Sequence, residues 1–147
     1  MYFIHSNNCG RLLERIEKAF VDTHVKNNTN YGILSSDDSY TKTYNDFMKF
    51  FESTKKGYFL AYRDSLAMAI LNAALDSNLK VPEDVEILSL IGTKYALMTR
   101  PQISSMHIDL YQIGASAVEL LTKIMNKEET DKHITFASEF VKRGSTL

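Results

Sequence analysis

Asp37 and Asp38 stand side by side after a short β-branched run, and Arg63 and Asp64 stand side by side after another. Neighbouring carboxylates at a strand end could hold a metal ion or form an acid/base pair, because the open edge of a parallel sheet faces ligands. Within Ser36–Asp37–Asp38–Ser39, however, the same pair has the composition of a turn and a helix N-cap, and we prefer that reading. Arg63–Asp64 is the better ligand-binding pair, since it sets a guanidinium fork and a carboxylate acceptor directly after a buried strand. Cys9 has no base placed beside it by sequence and reads as an ordinary thiol rather than a nucleophile. His5, His24, His107 and His133 are far apart, and none has a ligand-type partner three or four residues away, so no metal site is expected. The glycines are isolated, which excludes a P-loop and a dinucleotide fingerprint, and no Gly-x-Ser-x-Gly elbow occurs. These residues describe a binding module with no catalytic constellation, no metal and no cofactor.

The elements that would position them alternate in type. Short strands are expected at Tyr2 to His5, Tyr31 to Ser35, Gly57 to Ala61, Val85 to Ile91, Ile103 to Ile108 and Thr135 to Lys142. Between them, Arg11 to Lys26 sets Leu13, Ile16, Phe20 and Val25 on one helical face, and Tyr40 to Ser53 follows the Asp37–Ser39 cap cluster. Asp64 is expected to cap a helix running to about Ser77, with Asn78 as its left-handed C-cap. Val81 to Asp84 is a turn, Gly92 to Pro101 a long loop, and Asn126 to Lys132 a charged turn. Tyr111 to Met125 is amphipathic, with Ile113, Ala117, Leu120, Leu121 and Ile124 at helical spacing. Strands alternating with helices predict an α/β fold with a mainly parallel sheet flanked by helices. The Asp64 helix is unusual. Leu66 to Leu71 carry no polar stripe, and a helix apolar nearly all round needs cover on more than one side, for which a two-fold contact with a second copy is our preferred source.

The chain has 147 residues, with 17 Lys+Arg against 18 Asp+Glu and a formal net charge of -1. So small a charge supplies no electrostatic footprint for nucleic acid or an anionic membrane. Hydrophobic residues make up 44% and charged residues 24%, as in an ordinary globular domain. The single cysteine excludes an intrachain disulfide framework and suits a reducing cytoplasm. Residues 1–9 are too short and polar for a secretory signal, and no apolar run is long enough for a membrane helix.

Several segments carry a family likeness. Phe59 to Ala69 resembles the buried strand followed by x-Asp-x-x-Ala-hydrophobic-Gly of the LacI/GalR bacterial transcription regulators, with Asp64 and Ala67 matching and Ala69 at the glycine. Leu79 to Leu88 resembles their Val-Pro-Glu-Asp strand entry, Arg100 to Ser105 their Pro-Pro-Leu-Thr-Thr segment, and Val141 to Leu147 their terminal strand and tail. Leu110 to Ala115 and Leu120 to Glu128 are similar to the family's catabolite-control members.

The resemblance implies a periplasmic-binding-protein-like (type I) core, of which this chain is the C-terminal part. Residues 1–103 and 127–147 would be the second lobe, and 104–126 a strand and helix crossing to the first lobe. The DNA-binding headpiece would be absent, so operator DNA would be a partner only through that missing part. It implies an effector-sensing, dimerising, cytoplasmic repressor region, with a transporter's solute-binding lobe as the alternative.

By the same resemblance, effector contacts would fall at Arg11, Asp37, Arg63, Asp64 and Ile91. Leu12 stands where the family has an arginine, and Ile91 stands where it has a ligand-gripping aspartate, which argues against a conventional sugar. The homodimer interface would use Leu66, Met68, Ala69, Ile70, Ala73, Tyr95, Met98 and Arg100. A phosphorylated coregulator protein would dock at Tyr111, Glu119, Leu120 and Lys123, although Glu119 replaces an arginine that meets phosphate and would repel it.

Overall fold

Apolar runs of strand length, separated by amphipathic helices, bury their hydrophobic surface by stacking the helices on both faces of one sheet. The computed structural model describes residues 1–7, 10–131 and 133–147, so Cys9 and the end of the charged turn at Lys132 lie outside the described residues. The elements run β1 (Tyr2–Ser6), α1 (Arg11–Lys26), β2 (Gly32–Ser36), α2 (Tyr40–Ser53), β3 (Gly57–Ala61) and α3 (Asp64–Asp76). They continue with β4 (Val85–Ser89), α4 (Lys94–Met98), β5 (Ser104–His107), α5 (Leu110–Met125) and β6 (Glu139–Val141). The strands form a single sheet in the order β2-β1-β3-β4-β5-β6. The first five are parallel, and β6 pairs antiparallel with β5. The expected class, α/β with a mainly parallel sheet flanked by helices, is the class observed.

Alternation along the strands sends two sets of side chains to opposite faces. On one face Ile4, Phe59, Ala61, Val85 and Ile87 pack against Phe47 and Phe51 of α2 and against Leu66, Ile70 and Ala73 of α3. Phe59 is the hub of this core. Its ring centroid lies 5.4 Å from Phe47, 5.7 Å from Phe51 and 5.5 Å from Tyr2. On the other face Phe3 meets Leu13 and Phe20 of α1, with Ile16 and Leu60 partly buried beside them. Val25, at the end of the predicted α1 stripe, is 66% exposed.

α3 is covered inside the chain itself. Leu66, Ala67, Ala69, Ile70, Leu71, Ala73 and Ala74 are all fully buried, with α2 on one side, the sheet on another and α4 against the helix. Its all-round apolar character therefore has a cover within the monomer, and only Met68 and Asn72 are half-buried in its central turns. Asn78 ends the helix in the left-handed region at φ 58, as expected of a C′ residue.

Three local expectations are corrected. Asp64 is the first helical residue rather than the cap, because Thr93 occupies its carboxylate; Arg63 holds the cap position without a side-chain cap bond. The 92–101 loop contains α4, which starts because Thr93 Oγ1 accepts a hydrogen bond from the Tyr95 N–H at 3.3 Å. The last strand is only Glu139–Val141, since β6 pairs through Ser105–Val141, Met106–Phe140 and His107–Glu139 alone. The following tail is fastened by Ser145, buried, which accepts from the Ser104 N–H at 2.8 Å and donates to the Ile87 carbonyl at 2.5 Å.

α5 differs from every other long helix. None of its residues is buried, and it makes no more than marginal contact with any other element. Asp109 caps it by accepting from the Gln112 N–H at 2.9 Å.

Candidate effector site at the carboxyl edge of the sheet

Because β1 to β5 are parallel, the loops that follow them all leave from one edge. β1 leads outward to β2 while β3 and β4 build the other way, so the edge above β1 is the topological switch point where open α/β sheets bind ligands. The loop after β2 brings Asp38 there, and the loop after β3 brings Arg63. Arg63 Nη1 donates to Asp38 Oδ2 at 2.7 Å, bridging the end of β1, which lies between the two strands. The Arg63 guanidinium also lies 5.8 Å from the centroid of the Tyr62 ring. Asp38 adopts a left-handed backbone, φ 67, which its short polar side chain tolerates. Below this pair, His5 at the end of β1 is nearly buried, with its Nε2 3.3 Å from Glu17 of α1.

Beside Arg63 a cavity of about 310 Å³ opens between the β3 and β4 loops, lined by Arg63, Asp64, Ser65, Ile91, Thr93, Lys94 and Tyr95. That volume lies at the small end of ligand cavities. Its wall is fixed by Asp64, 2% exposed, whose Oδ2 accepts from both the N–H and the Oγ1 of Thr93 at 2.5 Å. Asp64 Oδ1 is buried and accepts no hydrogen bond among the described residues. Lys94 lies over the Tyr95 ring, 5.7 Å from its centroid, and pairs with no carboxylate among the described residues. Gly92 is required by close approach: a Cβ there would stand 2.5 Å from Ser105 Oγ, where the Gly92 N–H bonds the Met106 carbonyl at 3.0 Å.

The structure thus brings Arg63, Asp64 and Ile91 together at one cavity. Asp37 faces elsewhere, its Oδ1 accepting from the Ser39 N–H at 3.0 Å in a local turn, while Ser39 caps α2. Arg11 is exposed at the start of α1 and has no place in the cavity lining. Sequence reasoning missed Thr93 and Lys94, and weighed Asp38 only as half of a carboxylate pair that it preferred to read as a turn and cap. Asp38 had a signal in its adjacency to Asp37, but which aspartate caps and which pairs depends on a chain turn that adjacency does not encode. Among residues assigned to a dimer contact, Tyr95 lines this cavity, Met98 is 68% exposed, and Arg100 Nη1 donates to the Thr99 carbonyl at 2.7 Å. On α5, Tyr111 is exposed, Leu120 half-buried, and Lys123 Nζ donates to Glu119 Oε1 at 2.6 Å.

Comparison with known proteins agrees with this architecture. The periplasmic binding protein-like domain family matches residues 15–146. The chain is 40% identical over 110 residues to the HTH-type transcriptional regulator pepR1 of Lactobacillus delbrueckii subsp. lactis, covering 72% of this chain and 33% of that protein. It is 38% identical over 109 residues to catabolite control protein A of Staphylococcus xylosus, covering 71% and 33%. A LacI family transcriptional regulator from Bifidobacterium animalis subsp. lactis superposes with a TM-score of 0.90 at 18% identity, covering 99% of this chain and 54% of that one. The chain spans a third of these regulators' length and about half of the solved structure. It belongs to the periplasmic binding protein-like domain family. Within that family it is a partial effector-binding region of the LacI/GalR type, close to catabolite control protein A. The transporter alternative is not favoured, since these relatives are transcription regulators and not enzymes or transport components. No helix among the described residues is long and apolar enough to cross a membrane.

Proposed function

We propose that this chain is the effector-sensing lobe of a LacI/GalR-type repressor, and that its effector is a small polyhydroxylated anion held in the 310 Å³ cavity. One observation carries the reading. The cavity sets an ammonium, Lys94, that pairs with no carboxylate among the described residues, beside the Arg63 guanidinium and the Ser65 hydroxyl. An anionic group would pair with Lys94 and Arg63, and a ligand hydroxyl would meet Ser65, while Ile91 and Tyr95 face the ligand's carbon skeleton. A neutral sugar lacks the first interaction. A hydrophobic anion lacks the second.

In this reading residues 1–103 and 127–147 are one lobe, and 104–126 belong to a second lobe. Closure of the two on the ligand would bias attached DNA-binding headpieces, because a ligand that favours one lobe angle shifts the population toward it. The regulator would work as a homodimer in the cytoplasm. On α4, Met98, 68% exposed and outside the cavity lining, is the dimer contact best placed to meet a partner.

Thermal-shift and calorimetric titration with paired sugars and sugar phosphates tests the effector reading. A sugar phosphate should raise Tm where its neutral parent does not, and Lys94→Ala should abolish the difference. Equal response to both members of each pair would overturn the anionic assignment.

A further inference from the structure

Three segments of the chain converge on Ser105. This residue of β5 is fully buried and pairs with Ser89 of β4 on one side and with Val141 of β6 on the other. The β4–β5 ladder ends at the Ser89–Ser105 pair, and the next link is the Gly92 N–H, which donates to the Met106 carbonyl at 3.0 Å. Between these links the chain folds back on β4, with Ser89 Oγ donating to the Ile91 carbonyl at 3.0 Å. Ser105 Oγ lies directly against residue 92. A Cβ there would stand 2.5 Å from that oxygen and 3.1 Å from the Met106 carbonyl, so only glycine allows the approach without displacement.

The third segment arrives from β6. Arg143 follows that strand and reaches back across β5, its Nη1 donating to the Ile103 carbonyl and to Ser105 Oγ, each at 2.7 Å. Its own N–H donates to Ser104 Oγ at 2.8 Å. The planar guanidinium therefore grips β5 by backbone and side chain together, a hold that fixes position along the strand. Gly92 stands between Ile91 and Thr93, which both line the effector cavity, and Thr93 is bound on its far side to Asp64 of α3. The cavity loop is thus tied to α3 through Thr93 and to β5 through Gly92. With no side chain at residue 92 to absorb movement, the backbone alone carries a displacement of Ile91 or Thr93.

We propose that Gly92, Ser105 and Arg143 form a joint that couples the state of the Ile91–Thr93 cavity wall to the β5–β6 pair, the strands that leave for the second lobe and return from it. The proposal rests on the effector reading for the identity of the cavity, and adds the route by which occupancy leaves this lobe. A ligand that presses on Ile91 or Thr93 moves the Gly92 N–H against the Met106 carbonyl. β5, held by Arg143 at Ile103 and Ser105, answers by tilting from Ser105 outward. None of the three joint residues lines the cavity, so all three are positioning residues. Coupling between two places is reciprocal: a change at Thr93 reaches β6, and a change at Ser105 reaches Thr93.

The test needs no effector, so its failure is distinct from failure of the effector reading. Amide-resolved hydrogen exchange compares the full chain with Thr93→Val and Ser105→Ala, using the β1–β2 amides as the reference for global opening. Thr93→Val should speed exchange along the β5–β6 ladder at least about threefold beyond the change at β1–β2, and Ser105→Ala should speed the Thr93 amide by a similar factor. Ile91→Ala, at a position 37% exposed, should reproduce the first result, and it carries that arm if Thr93→Val does not fold. A packing role alone would move every amide in step with the urea midpoint, and that outcome overturns the proposal. So does an effect confined to the changed residue and its immediate chain neighbours.

Discussion

Arg63 and Asp38 join the loops of two strands that are not neighbours, their Nη1–Oδ2 bond of 2.7 Å passing over the end of β1. The pair is partly solvated, with side chains 50% and 30% exposed, so its worth to stability is about 0.2–1 kcal/mol. Its worth to the site is larger, because it fixes the guanidinium at the rim of the cavity. Asp38→Ala should leave the urea midpoint nearly unchanged while lowering effector affinity at least tenfold. Calorimetry checks the second outcome, and equal affinity would detach Arg63 from binding.

Asp64 is predicted to behave in the opposite proportion. It is 2% exposed and holds the β4 loop through two hydrogen bonds to Thr93. Asp64→Ala leaves both Thr93 donors without that acceptor and should cost about 1–3 kcal/mol in equilibrium urea unfolding. Asp64→Asn keeps an acceptor oxygen and should recover most of the loss. If Asn is as destabilised as Ala, the carboxylate charge rather than the geometry holds the loop.

Element type and order were legible because periodicity is local. Tyr40–Ser53 and Gly57–Ala61 are found at the expected bounds, since Ser39 caps one and a β-rich run flanked by glycine defines the other. The covering of α3 was not legible. Its apolar circumference demands several neighbours, but sequence does not say whether α2 and α4 or a second chain provides them. The cavity was half legible for a related reason. Arg63 and Asp64 announce themselves after a buried strand, whereas Thr93 and Lys94 matter only because the β4 loop folds back on Asp64. Nothing in the spacing of Asp64 and Thr93 encodes that contact.

Phe59 offers the sharpest test of the core. Its ring meets Tyr2, Phe47, Phe50 and Phe51 within 5.9 Å, between β3 and α2. Phe59→Ala removes the hub of this cluster and should cost about 3–5 kcal/mol, a large fraction of a small domain's stability. Phe59→Leu should cost much less by filling part of the space. Denaturant unfolding of the two variants decides whether the cluster is one packed unit.

Operator binding is not expected of this chain alone. Its net charge of -1 provides no excess of cations to displace counterions from a duplex. Electrophoresis with operator-like duplex at physiological salt should show no retarded band. A shift that falls steeply with added salt would contradict this and locate a basic surface within the lobe.

The exposed pair on α5 sets a pH dependence whose sign follows from its hydrogen bond. Lys123 donates to Glu119 and holds its carboxyl below the usual glutamate range, while the same bond raises Lys123 above the usual lysine range. A carboxyl with a depressed folded pKa stabilises the helix above its unfolded value and loses that contribution as pH falls through the folded value. For Lys123 the contribution is present below the unfolded value and disappears as pH rises through the raised one. α5 helicity should therefore be flat across neutral pH and decline at both extremes. Both side chains reach solvent, 42% and 66% exposed for Lys123 and Glu119, so the decline should be small and reduced by salt. Lys123→Met should return the Glu119 carboxyl toward its ordinary titration, read directly from its side-chain carbon resonance. If that resonance titrates identically in both proteins, the Glu119–Lys123 bond does not persist in solution.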